Sequence, residues 1–130
     1  MLFDNFDFDI FSVINNNKNI NNDGYQYGNM FTDEYVPYKD YPVYVLKAKD
    51  EKNNLLLKIM EESFIINDLN LYLDINSNDK EVFSLYKKHN DNLKKLINEY
   101  ENKYQALTIT GVNDSFSYVL SPWPWEGYNV

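Results

Sequence analysis

Between Glu51 and Tyr104 the chain has neither glycine nor proline, and its apolar residues recur every three or four positions. Leu56, Ile59, Met60, Phe64, Leu71 and Leu73, with Ile66 and Leu69 beside them, form a wide stripe whose spacing predicts one helix. The pattern breaks at Asp74-Ile75-Asn76-Ser77-Asn78. It resumes as Val82, Phe83, Tyr86, Leu93, Ile97, Tyr100 and Tyr104, with Lys87, Lys88, Lys94, Lys95, Glu99 and Glu101 mostly on the other side. That predicts a second helix. Asn78 followed by Glu81 reads as its capping-box variant, in which side chains satisfy the free amides of the first turn. A connection of about five residues makes the helices antiparallel neighbours, an αα-hairpin. The first stripe is wider than one partner helix covers, because Leu55, Leu57, Ile65 and Tyr72 point away from the main seam. The C-terminal segment folding back, a second copy, or another protein must cover the remainder.

The flanking segments differ from this centre. Residues 1–50 carry the tract Asn15-Asn16-Asn17-Lys18-Asn19-Ile20-Asn21-Asn22-Asp23-Gly24. Tyr25, Tyr27, Tyr35, Tyr38, Tyr41 and Tyr44 follow, interleaved with Pro37 and Pro42. Asn favours turns and Pro removes a backbone donor, so this stretch reads as a mostly disordered, low-complexity arm. After Tyr104 the chain has no lysine and only Asp114 and Glu126 as charges, yet it is rich in large apolar residues. Its end, Pro122-Trp123-Pro124-Trp125-Glu126, favours an extended backbone, since each proline fixes its own φ and restricts the residue before it. The two indoles either cap the hairpin's open face or anchor a partner. The expected fold is thus all-α: an Asn/Tyr-rich arm over 1–50, then a helical-hairpin domain with an aromatic tail over 51–130.

Composition narrows the function. The 130 residues hold 20 acidic and 12 basic side chains, every basic one a lysine, for a net charge of −8. Nucleic-acid binding relies on lysine and arginine neutralising phosphates, so this balance argues against it. No apolar run approaches the roughly 20 residues of a membrane-spanning helix. The acidic start, with Asp4, Asp7 and Asp9 and no lysine before Lys18, is the reverse of a secretory leader, so the protein is expected to stay in the compartment that makes it. Cysteine is absent, which removes thiolate chemistry and Cys-ligated metals.

Catalytic inventories fare no better. The single histidine, His89, lies in Tyr86-Lys87-Lys88-His89-Asn90, where a Glu-x-x-His metal pair would need Glu at 86; it reads as a helix-flank histidine making an ordinary hydrogen bond. No second histidine is present to activate Ser115, and four glycines, at 24, 28, 111 and 127, build no phosphate loop. Glu61-Glu62 reads as part of a solvated face rather than an acid–base pair. Asn67 and Asn70, inside an apolar helix, must be exposed between stripes or paired across the hairpin, because a buried unpaired amide costs about 1 to 3 kcal/mol. We therefore expect no catalytic residue, no metal site and no cofactor.

One family shares these features. Leu69-Asn70-Leu71-Tyr72-Leu73-Asp74, a second helix ending at Tyr104 with Leu107 and Gly111 after it, and the closing Pro122-Trp123-Pro124-Trp125-Glu126 resemble the CotJB family of endospore coat proteins, in order and spacing, from about Leu55 to Glu126. The chain departs from the family's usual pattern in three places. Ser77 replaces a proline before the second helix, Gln105-Ala106 replaces Gly-Pro after it, and Phe116 and Tyr118 stand where tryptophans are common. The resemblance implies a non-enzymatic structural or assembly protein of the spore coat, synthesised in the mother-cell cytoplasm and deposited on the forespore. It also implies as partners a CotJC-like manganese catalase and a CotJA-like small coat protein, and self-association is a further expectation. An alternative is an adaptor or regulatory subunit of that catalase-like enzyme. Tyr72, Asp74, Trp123, Trp125 and Glu126 are the expected partner-binding residues.

Overall fold

The structure is a computed structural model that describes residues 19–21, 23–34, 36, 38–40, 42–112, 115–120, 123 and 126. The chain divides into two units, Met1–Val43 and Tyr44–Val130. The division falls several residues before the first long helix.

In the first unit, residues 19–34 close into a loop where the sequence predicts no regular element. Ile20 and Phe31 form an antiparallel bridge, Asn21 N–H donates to the Met30 carbonyl at 2.9 Å, and Thr32 N–H donates to the Asn19 carbonyl at 2.9 Å. Between them lies the single-turn helix α1, Gly24–Tyr27, which ends at Gly28 in the left-handed region at φ 81°. The asparagines make this possible because their side chains accept from backbone two residues on: Asn21 Oδ1 from Asp23 N–H and Asn29 Oδ1 from Phe31 N–H, at 3.1 and 2.8 Å. Asn19 Nδ2 donates to Asp33 at 3.1 Å and ties the loop's two ends. Met30 is fully buried, and Gly24 packs so closely on the Asn29 carbonyl and the Met30 Cα that no Cβ fits there. Residues 1–18, the remainder of the predicted arm's start, lie outside the described residues.

The second unit is built on two long helices, α2 over Glu51–Ile75 and α3 over Lys80–Lys103, joined by the four residues 76–79 and packed on each other. The predicted hairpin is therefore present. Asp50 caps α2 by accepting from Asn53 N–H at 2.7 Å, and its second oxygen accepts from Asn53 Nδ2, so the buried Asn53 amide is paired. At the other end of the hairpin Asp79, not Asn78, caps α3, accepting from Val82 N–H at 3.2 Å. The reason is a second donor: Tyr72 Oη donates to the other Asp79 oxygen at 3.0 Å, and a carboxylate accepts both where an amide offers one oxygen.

The seam is narrower and rotated relative to the predicted stripe. Leu55, Leu56, Ile59, Ile65 and Leu69 are buried on α2, whereas Met60 and Leu71 are exposed. A helix turning about 100° per residue presents only one sector to its single partner, and the 55–59–62–66–69 row occupies it. Asn67 and Asn70 are both exposed, which resolves their choice. On α3, Val82 and Tyr100 are the most buried residues.

The core is concentrated at the open end. Leu55, Leu56, Ile59 and Tyr100 form a cluster joined by Leu93, Leu96, Ile97 and Leu107. Leu107 comes from the segment after α3, so that segment folds back onto the base of the hairpin. Ala106 is buried and its N–H donates to Ser117 Oγ at 3.3 Å. Glu101 Oε1 accepts from Leu107 N–H at 3.1 Å and fixes the turn. Gly111 lies against that carboxylate, so closely that a Cβ would collide with it. Lys103 Nζ reaches Glu99 at 2.7 Å and Glu51 at 3.4 Å, joining the end of α3 to the start of α2. The Glu99 hydrogen bond, with its charge, holds this exposed ammonium above its ordinary pKa.

Candidate interaction surface

Five residues are expected to contact partners, and they fall into two groups. Tyr72 and Asp74 sit two apart in the last turns of α2, so about 200° separates them around the axis. Tyr72 is half-buried with its hydroxyl committed to Asp79, whereas Asp74 is exposed. The motif Leu71-Tyr72-Leu73-Asp74 thus divides its labour: the tyrosine locks the inter-helix turn, and the aspartate is presented outward.

The second group is in the tail. Trp123 is 41% exposed and Glu126 is exposed. Glu126 N–H donates to the Trp123 carbonyl at 2.9 Å, and the Glu126 carboxylate accepts from Trp123 N–H at 3.4 Å. These bonds tie Trp123 to Glu126; the residues between them, on which the expected extended stem depends, lie outside the described residues. Trp125 lies outside the described residues. Phe116, Val119 and Leu120 are also exposed, with a 3₁₀ turn over Ser117–Val119.

One polar pair was not legible as such. His89 Nδ1 and Glu62 Oε2 lie 2.6 Å apart in the seam, with side chains 14% and 17% exposed. One heptad toward the turn from this pair stand Leu69 and Val82, both fully buried; one heptad away stand Leu55 and Leu96 of the base cluster. Glu62 is therefore a seam residue, not part of a solvated face. The available signal was its place in the 55–59–62–66–69 row, which apolar counting skips because Glu is polar. His89 does make the hydrogen bond expected of it. Among the described residues no three His, Cys, Asp or Glu side chains converge as metal ligands would, and no helix is long and apolar enough to cross a membrane.

What these features define is a helical hairpin whose polar side chains largely fasten its own turns, with exposed apolar and aromatic groups on α2 and in the tail. Its family can be stated: the family model described as CotJB protein matches residues 53–126, from the first turn of α2 to the end of the Pro-Trp-Pro-Trp-Glu motif, and the chain belongs to the CotJB family, a family of spore coat proteins. No curated protein and no solved structure matches the chain.

Proposed function

We propose that the chain is a non-enzymatic structural protein of the endospore coat that is made in the mother cell and acts through protein–protein contacts. The observation that carries this reading is the reach of the family match, which takes in both helices and the aromatic tail together. In that shared region and just before it the well-defined polar groups serve the fold: Asp50 and Asp79 cap helices, Tyr72 braces the turn, Glu62 and His89 pair in the seam, and Glu101 anchors the segment after α3. Large apolar groups are meanwhile left at the surface, Leu71, Ile75, Phe83 and Trp123 among them. Exposed aromatic anchors of this kind are what interfaces use.

The test is deletion of the gene in its sporulating host. The structural reading predicts spores whose coat protein profile loses further components along with this one. A coat of unchanged composition and resistance would contradict it. The second reading, an adaptor for a manganese-catalase-like coat enzyme, is favoured by the exposed Trp123 beside the Glu126 carboxylate, a compact aromatic and acidic epitope. Purified chain that raises that enzyme's activity or metal retention would support it, and an enzyme unaffected by saturating chain would end it.

A further inference from the structure

The segment that leads into α2 is apolar and yet lies in water. Tyr44, Val45 and Leu46 stand in succession at 76%, 55% and 47% exposure, followed by the exposed Lys47. Residues 44–48 form no helix, turn or bend, and among the described residues no hydrogen bond engages their backbone. A short run of strand-favouring side chains thus holds out a row of amide donors and carbonyl acceptors. It is unlike a flexible linker, which is rich in glycine, serine or charge. The run is also fixed at one end, because Asp50, the cap of α2 that accepts from Asn53 N–H at 2.7 Å, follows just after it.

Among the described residues nothing takes up that row: there is no strand, and the one β-type pairing joins Ile20 to Phe31. A second copy offers only the same short run, and an isolated two-stranded ribbon is marginal in water. Lys47 within the run and Lys49 just beyond it oppose the stacking of further copies. We propose that residues 44–48 are a strand-addition site, and that the partner is a different protein with an open β-sheet edge. Main-chain hydrogen bonds to that edge supply the affinity, and the alternation of side chains supplies the fit. In the added strand Tyr44 and Leu46 share one face and cover an apolar surface of the partner's sheet, while Val45 and Lys47 share the other. The run precedes residues 53–126 of the family match, so the inference goes beyond the coat reading and stands without it. Its failure would leave coat deposition, which is read in spores, untouched.

The experiment is residue-resolved amide hydrogen exchange on the full chain with a defined probe, a cyclic β-hairpin peptide that has one edge open and the other N-methylated. A twin methylated on both edges is the control. An amide protected only in the complex slows by one plus the ratio of probe concentration to Kd, so about 1 mM probe and a Kd of about 100 µM give about a tenfold slowing. That slowing should fall on alternate amides, either Val45 and Lys47 or Leu46 and Ala48, because a strand turns only every second N–H toward its neighbour. Leu55 and Tyr100 in the helices should not change, and the twin should have no effect. The double variant Val45→Pro/Leu46→Pro removes a donor from either edge and should abolish the response, whereas Val45→Thr should keep it; far-UV circular dichroism checks that both retain their helices. Exchange that the probe leaves unchanged, slowing that the twin matches, or slowing that survives the two prolines would each overturn the proposal. Protection that appears without probe and grows with chain concentration would make a second copy the partner and overturn it as well.

Discussion

Replacing Glu62 by leucine removes the acceptor that His89 Nδ1 holds at 2.6 Å and leaves the imidazole largely enclosed, 14% exposed, between two helices. A polar group stranded in that way costs about 1 to 3 kcal/mol. Replacing His89 alone strands the Glu62 carboxylate, which is as enclosed and which needs a partner more when charged. Replacing both removes the stranded groups and puts two leucines between Leu69 and Val82 on one side and Leu55 and Leu96 on the other, continuing the apolar row. Double apolar replacement of an enclosed ionic pair is often neutral or stabilising. The expected order of stability is therefore Glu62→Leu/His89→Leu at or above the wild type, with both single variants below it. Urea unfolding followed by circular dichroism reads this directly. With a slope of about 1 to 3 kcal/mol per molar, the singles should lose roughly 0.5 to 2 M in midpoint. The loss is not additive, and the coupling is the sign of the pair. Single variants as stable as the wild type, or a double variant that loses the sum of the two, would refute the reasoning that these residues depend on each other in the seam.

Three further outcomes follow from the same geometry. Asp79→Ala removes the cap of α3 and the acceptor of Tyr72 together and should cost about 1 to 3 kcal/mol, whereas Asn78→Ala should be near neutral; thermal melts of the two variants separate them. Leu69→Ala opens a cavity at a fully buried position and should destabilise by about 2 to 4 kcal/mol in the same urea assay. Gly24→Ala drives a methyl group into the backbone at Asn29 and Met30, so the 19–34 loop should lose its form while α2 and α3 persist; amide exchange should rise at Asn21, Asn29 and Thr32 and stay unchanged at Leu55 and Tyr100.

The hairpin was legible because periodicity, the missing Gly and Pro, and the break at Asp74–Asn78 all point to it, and the observed ends of α2 and α3 lie within a residue or two of those expected. The seam's rotation was less legible. Apolar residues surround α2, so the sequence offers several stripes, and only the partner helix decides which one is buried; Ile65 went in and Met60 and Leu71 stayed out for that reason. The cap shifted from Asn78 to Asp79 because its second client, Tyr72, approaches from the other helix, information that local pattern does not hold. The loop over 19–34 was missed for a related reason. Its asparagines were read singly as turn formers, while closure depends on pairing between residues more than ten apart, Asn19 with Thr32 and Asp33. At the candidate surface, Asp74 and Trp123, offered by the sequence as partner-binding residues, are both exposed, which leaves that role open. The sequence also named Tyr72, whose hydroxyl has an internal use that only the fold reveals.

The central claim is that this chain is built into the spore coat. A fluorescent fusion of the full chain, followed through sporulation and then through washing of the released spores, tests it most directly. The account predicts signal that begins in the mother cell, collects as a shell around the forespore, and stays with the spore through high-salt washing. Fluorescence that remains spread through the mother cell, or that washes freely from the spore, would contradict it.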